Sequence, residues 1–385
     1  MNTNTIKGFK DFTGDEARKR ARIRKILVGT FELFGFEPAE TPTIESEEFV
    51  RGENTSDEAV SDIFTLSDKA KRSLALKYES TFQLKRIAQN QKLPYKRYQI
   101  ERVFRNEPIK KGRQREFTQC DVDVIGSSIN DEAEMIAMLA SVLKKLNVNA
   151  KILINNRKLI NEILETENIK EMNREQVMRE LDKLDKLPKK EVADNLKKLG
   201  AEKLLDILEK GEKAFEKYAY YKQIKELLTL LKGYKVDVEF KPTLARGLSY
   251  YNGTVLEVEG SEEGIGSIAA GGAYLINDMQ SFGFAFGLDR ISMISDLESE
   301  YTNYLLVSLG QEKKTIRLAT ALRENNKSTQ ILLDKSLKKA MDYANVKNIQ
   351  KVIIIGGDEV KSKRYKVKDM ESGKEKELTE KELLG

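Results

Sequence analysis

The densest run of chemically capable side chains in this 385-residue sequence is RVFRNEPIKKGRQREFTQCDVD. It brings Arg102, Arg105, Lys110, Lys111, Arg113 and Arg115 together with Glu107, Glu116, Gln119, Asp121 and Asp123. Cations at this density suit phosphate or carboxylate, and a guanidinium grips two oxygens at once as a planar fork. Strand alternation sends Gln119, Asp121 and Asp123 to one face and the apolar Val122 and Val124 to the other. Three polar groups on one face of an otherwise apolar strand suit the floor of a pocket. A merely charged surface hairpin does not explain that pattern.

Three further clusters carry weight. In LARGLSYYNGTVLEV, residues 244–258, Arg246 stands among apolar neighbours and precedes Tyr250 and Tyr251; a buried guanidinium needs an anion. In GIGSIAAGGAYL, residues 264–275, Gly264, Gly266 and Ala269 formally match a dinucleotide fingerprint. Such a fingerprint must close a strand and open a helix within a βαβ unit, whereas these glycines run on to Gly271 and Gly272, as in a strand that lets a ligand approach its backbone. In FGFAFGLDRIS, residues 282–292, a small-residue strand passes through Gly287 into a helix whose first turn presents Arg290. Both the cation and the helix start suit phosphate, although core packing with a surface arginine fits that segment alone equally well. No phosphate loop ending in Gly-Lys-Ser or Gly-Lys-Thr is present, so any ATP is held another way.

Composition removes other chemistries. There is no histidine, which excludes imidazole acids and bases, histidine metal ligands and serine or cysteine nucleophiles paired with histidine. The lone Cys120 excludes a disulfide framework and reads as a small buried apolar residue in a reducing compartment. A net charge of +5 permits a polyanionic partner without requiring one. The N-terminus lacks the apolar core of a signal peptide and no stretch approaches about 18 apolar residues, which predicts a soluble, cytoplasmic protein without membrane contact.

The elements that must position these residues follow from periodicity. Spacings of three and four predict a helix over Asp15–Phe34, ended by Gly35, then an extended segment through Pro38 and Pro42. Short strands are predicted at Ser73–Lys77, Tyr98–Arg105, Thr118–Gly126, Thr254–Glu259 and Phe282–Phe286, with helices over Asp131–Leu146 and from Leu288. Residues 151–240 hold 20 basic and 18 acidic residues with helical Leu/Ile spacing, which reads as a helical insertion that splits the sheet domain. From Tyr301, strand and helix alternate over short connections, which predicts a compact α/β domain with a mostly parallel centre and a boundary near Glu298–Thr302.

In this order the clusters resemble the class II aminoacyl-tRNA synthetases, and within them the histidyl-tRNA synthetase family, over nearly the whole chain. KGFKDF, the first helix and GFEPAETPTIE resemble the first class motif, FRNEPIKKGRQREFTQCDVDVIG the second and FGFAFGLDR the third. ARGLSYYNGTVLE and AAGGAYL are similar to the two segments particular to the histidyl enzymes. The resemblance implies an α+β fold: a catalytic antiparallel-sheet domain over 1–150 and 241–298, a helical insertion over 151–240, and an α/β anticodon-binding domain over 302–385. It implies activation of histidine with ATP and Mg²⁺, then transfer to tRNA(His), by a homodimer that pairs through the Pro42 segment. Arg105 would bind the α-phosphate and steady the attacking carboxylate, Glu107 and Arg113 would contact the nucleotide, and Arg290 the γ-phosphate. Glu79, Thr81 and Gln119 would hold the amino acid, Asp123 and Tyr251 its imidazole, Tyr250 would contact the histidine, Tyr274 would help close the pocket, and Arg246 would be the family's extra catalytic arginine, in contact with the histidine.

Lys110, Lys111 and Arg115 would meet the tRNA acceptor end. The run Lys361, Lys363, Arg364, Lys366 and Lys368 either tracks RNA phosphates or is a solvated strand edge. The chain departs from the family at Lys77 (usually Arg), Asn106 (often His), Ser249 (usually Asp), and Ala273 and Leu275 (polar in GGRYD), and the last two would remove polar groups from the pocket wall. The alternative is a catalytically silent paralogue that regulates ATP phosphoribosyltransferase. The retained Arg-rich hairpin, Arg246 and C-terminal domain argue against it, and the RGLSYY segment argues against a threonyl or prolyl type.

Overall fold

The computed structural model describes residues 2–52, 60, 62–109, 112–184, 187–246, 250–261, 266–297 and 304–385. The chain divides into two compact units, Met1–Leu297 and Glu298–Gly385. Lys110, Lys111, Ser249, Gly264 and the expected domain boundary near residues 298–302 lie outside the described residues.

In chain order, the strands of the first unit are β1 (Glu37–Pro38), β2 (Ile44–Ser46), β3 (Thr65–Ser67), β4 (Ser73–Leu76), β5 (Tyr95–Phe104) and β6 (Glu116–Ile125). They continue as β7 (Ala150–Asn156), β8 (Glu239–Phe240), β9 (Thr254–Gly260), β10 (Ser267–Ile276) and β11 (Met279–Gly287). A large sheet runs β1-β5-β6-β11-β10-β9-β7-β8, and β2-β4-β3 form a small second one. From β5 to β7 every pairing is antiparallel, with β1 and β8 added in parallel at the edges. One face of this sheet packs on helices, and the other carries a smaller apolar cluster beside its polar groups.

Helices cover the core face. Helix Gly14–Leu33 buries Ile23, Leu27, Thr30 and Phe31, one stripe at helical spacing. It packs on helix Ile129–Lys145, which starts at a capping box of Ser128 and Asp131 and packs in turn on helix Tyr221–Gly233. Cys120, Val122 and Val124 of β6 and Phe282, Phe284 and Phe286 of β11 meet them from the sheet. Burial of each such Leu, Ile or Phe contributes about 1.5–3 kcal/mol.

The stretch 151–240 corrects the sequence reading in one respect. Residues 151–156 are strand β7, hydrogen-bonded between β9 and β8, because a short apolar run such as ILIN carries no period that distinguishes strand from helix. Helices Arg157–Thr166, Glu171–Leu181, Lys189–Lys198, Leu204–Leu208 and Tyr221–Gly233 follow. Their apolar faces join the same cluster as the sheet.

In the second unit, β12 (Tyr304–Ser308), β13 (Thr329–Leu332), β14 (Lys351–Ile355), β15 (Arg364–Asp369) and β16 (Glu375–Thr379) form a sheet in the order β13-β12-β14-β15-β16. Its centre is parallel and its last two strands are antiparallel. Apolar clusters cover both faces, which is why YLLVS and KVIII read as unbroken apolar runs. On β15, Tyr365 and Val367 point inward, while Arg364, Lys366 and Lys368 each have a glutamate within 4 Å: Glu377, Glu359 and Glu375. Those three cations thus lie on an ion-paired strand face.

A buried polar knot fixes the loop after β4. Lys77, fully buried, pairs with Glu101 of β5 and donates to the Thr41 carbonyl at 3.3 Å. Gln99 and Gln83 complete it through the Thr41 hydroxyl at 2.6 and 2.8 Å. Removal of one member leaves an uncompensated charge. Lys77→Met should therefore cost about 3 kcal/mol, read from urea unfolding of the full chain; an unchanged midpoint would refute the knot's structural role.

Candidate active site

The face of the sheet opposite the core helices carries the predicted residues in rows set by register. Across β5, β6, β11, β10 and β9, one row reads Arg97, Asp123, Gly283, Gly272, Val255, and the next reads Gln99, Asp121, Ala285, Ala270, Glu257. A third pairs Glu101 with Gln119 and Gly287. Polar groups stand on β5 and β6 and, in the second row, at Glu257 of β9, with small residues between them, which makes a trough. A Cβ at Gly283 would overlap the Asp123 carboxylate and touch the Tyr274 hydroxyl, and one at Gly272 would lie 2.9 Å from the Tyr251 ring. Glycine is required at both positions so that side chains can cross the sheet.

Gln119, Asp121 and Asp123 are all buried, as alternation predicts. Asp123 pairs with the Arg97 guanidinium at 2.7 Å and accepts a hydrogen bond from the Tyr274 hydroxyl. Arg97 also donates to Gln99 at 3.0 Å and to the Ser80 carbonyl at 3.1 Å, so it clamps the loop after β4 onto the floor. Asp121 accepts from Gln119 at 2.7 Å, and its second oxygen is buried without a hydrogen-bond partner among the described residues. Burial pushes the Asp121 carboxyl up to about 6, with Arg97 opposing and Asp123 adding to the rise. Burial also raises Asp123, against the pull of Arg97 and the Tyr274 hydroxyl.

Above this floor sit the aromatic residues and arginines. Tyr250 and Tyr251 have ring centroids 4.8 Å apart and bond to each other, and Tyr250 meets Tyr274 edge-on at 5.8 Å. Burial raises all three phenols, so each remains a neutral donor. Glu79, on the loop after β4, lies near enough to Tyr250 and Tyr251 to act on them electrostatically, and Thr81 follows two residues on. Arg105 donates to the Tyr78 carbonyl at 3.0 Å and to Gln119 at 3.3 Å, with the Phe117 ring 5.2 Å from its guanidinium. Arg113 pairs with Glu107 at 3.0 Å, and Arg290 beside them donates to the carbonyls of Ser267 and Gly112. Burial first, then Arg113, lowers the Arg290 pKa, the mark of cations gathered where anions belong.

The anion expected beside Arg246 is Glu257 of β9, at 2.8 Å. The Arg246 Nε is buried and without a hydrogen-bond partner among the described residues. Arg115 is placed differently from the other cations: its stem packs against Gly8, whose carbonyl takes the Arg115 backbone amide at 3.0 Å. The expected loss at Ala273 and Leu275 does not arise at the trough. Ala273 faces the core side of β10 and Leu275 is half exposed, because odd positions of this strand point away from Tyr274. The dinucleotide reading of the glycine run also fails, since β10 is antiparallel to both its neighbours. The sequence reading missed Arg97, Gln99 and Glu257. The alternation Arg97, Gln99, Glu101 in YKRYQIER was the available signal for the first two, whereas nothing local marked Glu257 as the partner of Arg246.

An open antiparallel sheet with convergent arginines on its free face, joined to a separate α/β unit, defines a class II aminoacyl-tRNA synthetase. The family model described as histidyl-tRNA synthetase matches residues 8–291 and the anticodon binding domain matches residues 305–385. Histidine–tRNA ligase 1 of Bacillus cereus is 35% identical, with 97% of each chain covered. The crystal structure of histidyl-tRNA synthetase from Nostoc sp. superposes with a TM-score of 0.87 at 25% identity, covering 100% of this chain and 99% of that one. An ATP phosphoribosyltransferase regulatory subunit/histidyl-tRNA synthetase from Bacillus halodurans shares the fold, with a TM-score of 0.77 at 21% identity, over 92% and 98% of the two chains. The chain belongs to the histidyl-tRNA synthetase family.

The raised Asp121 carboxyl has a defined pH signature. Its pKa is about 6 in the folded chain against 3.8 ordinarily, so between these values the folded state holds the proton more tightly. Stability at this group is therefore lost as pH rises through that window. Asp121→Asn should flatten the fall in Tm of the ligand-free protein between pH 4 and 6; an identical profile in the variant would show that Asp121 ionises normally.

Proposed function

We propose that this chain is a histidine–tRNA ligase whose trough brings a histidine carboxylate to the α-phosphorus of ATP, then passes the acyl group to the 3′ end of tRNA(His). The first step forms an oxygen–phosphorus bond to histidyl-adenylate and releases pyrophosphate. The second transfers the acyl group to a ribose hydroxyl and releases AMP. ATP enters as its Mg²⁺ complex. The observation that carries the reading is the floor itself: buried Gln119, Asp121 and Asp123 opposite Gly283, with Arg105 bonded to Gln119.

Two anions must meet in the first step, and charge grows on the phosphoryl oxygens in the transition state. Arg105 would bind the α-phosphate and Arg246 the attacking carboxylate, each preorganised by a carbonyl or carboxylate behind it. Glu107 and Arg113 would hold the nucleotide, and Arg290 its γ-phosphate. Glu79, Thr81 and Gln119 would take the α-ammonium. Asp123 and Tyr251 would take the two imidazole nitrogens, one by accepting and one by donating, with Tyr250 and Tyr274 closing the sides. No protein acid or base is needed, because pyrophosphate leaves as an anion and a phosphate oxygen can accept the ribose proton. That chemistry suits a chain without histidine.

Lys110, Lys111 and Arg115 would meet the acceptor end of the tRNA, two copies of the chain would pair through the first helix and the Pro42 segment, and the enzyme would work in the cytoplasm. No helix among the described residues is long and apolar enough to cross a membrane.

The test is ATP–pyrophosphate exchange on the full chain with each of the twenty amino acids. Exchange with histidine alone is expected. No exchange with any amino acid would overturn the reading in favour of the regulatory paralogue. Arg246→Ala should lower the exchange kcat about 100-fold with ATP KM nearly unchanged, and Asp123→Ala should raise the histidine KM; an unaltered kcat or KM, respectively, would remove that residue from its role.

A further inference from the structure

Arg246 sits at φ 50°, in the left-handed region that a non-glycine side chain disfavours, so something other than its own backbone must hold it there. Two side chains, Asn155 at the end of β7 and Arg157 at the start of the helix after it, do so. Asn155, 1% exposed, donates to the carbonyls of Pro242 and Leu244 at 2.8 and 2.9 Å. Arg157, 5% exposed, donates to the carbonyl of Arg246 at 3.4 Å. Three alternate carbonyls of the segment are thus gripped in series. The backbone amide of Arg157 also donates to the Gly253 carbonyl at 2.8 Å, so this one residue touches both ends of the stretch that carries Arg246, Tyr250 and Tyr251.

The remaining reach of Arg157 leads away from the trough. Its Nη2 lies 2.7 Å from Glu175 on helix Glu171–Leu181, and Asp182, at the end of that helix, acts electrostatically on Arg246 itself. We propose that Arg157 is a positioning residue that fixes Arg246 over Glu257, and that its pairing with Glu175 makes helix Glu171–Leu181 part of that support. The inference rests on the role proposed above for Arg246. It links a helix outside the trough to the first chemical step.

The experiment is histidine-dependent pyrophosphate exchange on the full chain, with Arg157→Met and Glu175→Ala made both alone and in the Arg246→Ala background. Arg157→Met should lower kcat about 30-fold with histidine KM within about threefold, since a small misplacement of a reacting group costs this much. In the Arg246→Ala background the same change should lower kcat less than about twofold, because residues that act through one another are not additive. Glu175→Ala should act in the same direction by about fivefold, and its half-exposed carboxylate makes it the variant that carries the cycle if Arg157→Met does not fold. Equal losses in both backgrounds, or an unchanged kcat, would overturn the proposal. Absence of exchange in the unaltered chain would remove the reaction and this proposal together, whereas additive losses would remove the proposal alone.

Discussion

Arg97 and Asp123 leave water as an ion pair, and much of the ligand face follows from the groups that hold them, although Arg97 Nε and Asp123 Oδ2 have no hydrogen-bond partner among the described residues. Neither side chain is exposed by more than 5%, and their contact is 2.7 Å. A pair this deep is stable only with further hydrogen bonds, and these come from three directions: Gln99 on the same strand, the Ser80 carbonyl from the loop after β4, and the Tyr274 hydroxyl from β10. The pair therefore joins the β5–β6 hairpin, the Glu79 loop and the strand of small residues into one surface. Glycine at 283 is what allows Tyr274 to reach across β11 to Asp123.

A second constraint is charge of one sign. Arg105 and Arg113 both act electrostatically against Arg290, and such a gathering of like charge is unfavourable until an anion answers it. Their geometry is maintained by neutral or singly charged supports: backbone carbonyls under Arg105 and Arg290, Glu107 beside Arg113, Glu257 beneath Arg246. Groups held in this way need little reorganisation when an anion arrives, which is the physical basis of electrostatic catalysis. The opposite face spends none of its residues on this task and is filled by the core of helices Gly14–Leu33 and Ile129–Lys145.

The legible part of this site was the part written with period two. Gln119, Asp121 and Asp123 could be assigned to one face before any fold was known, because each residue's face follows from its neighbours on one strand. The first helix was legible from its three-and-four spacing, and the parallel centre of the second unit from apolar runs bounded by short turns and alternating with helices. The strand β7 was not, since the short run ILIN has no period of its own and was absorbed into the helical residues that follow it. Lys77 read as a departure in a binding segment, yet it is buried in a structural knot with Glu101, 24 residues on. Ala273 and Leu275 read as lost pocket groups, yet strand parity turns them away from the trough.

The chemistry available was already written in the residues: arginines, carboxylates and phenols without imidazole, spaced so that one strand face is polar, in a motif order that resembles a single family. The order and type of most elements were written there too, because hydrophobic periodicity and turn residues are local signals. Which charges answer one another was settled by folding. The pairings of Arg97 with Asp123, Arg246 with Glu257 and Arg157 with Glu175 depend on sheet register and on a chain reversal through the helical stretch, and no local pattern encodes those. Burial makes such pairings obligatory, and burial is a property of the whole fold.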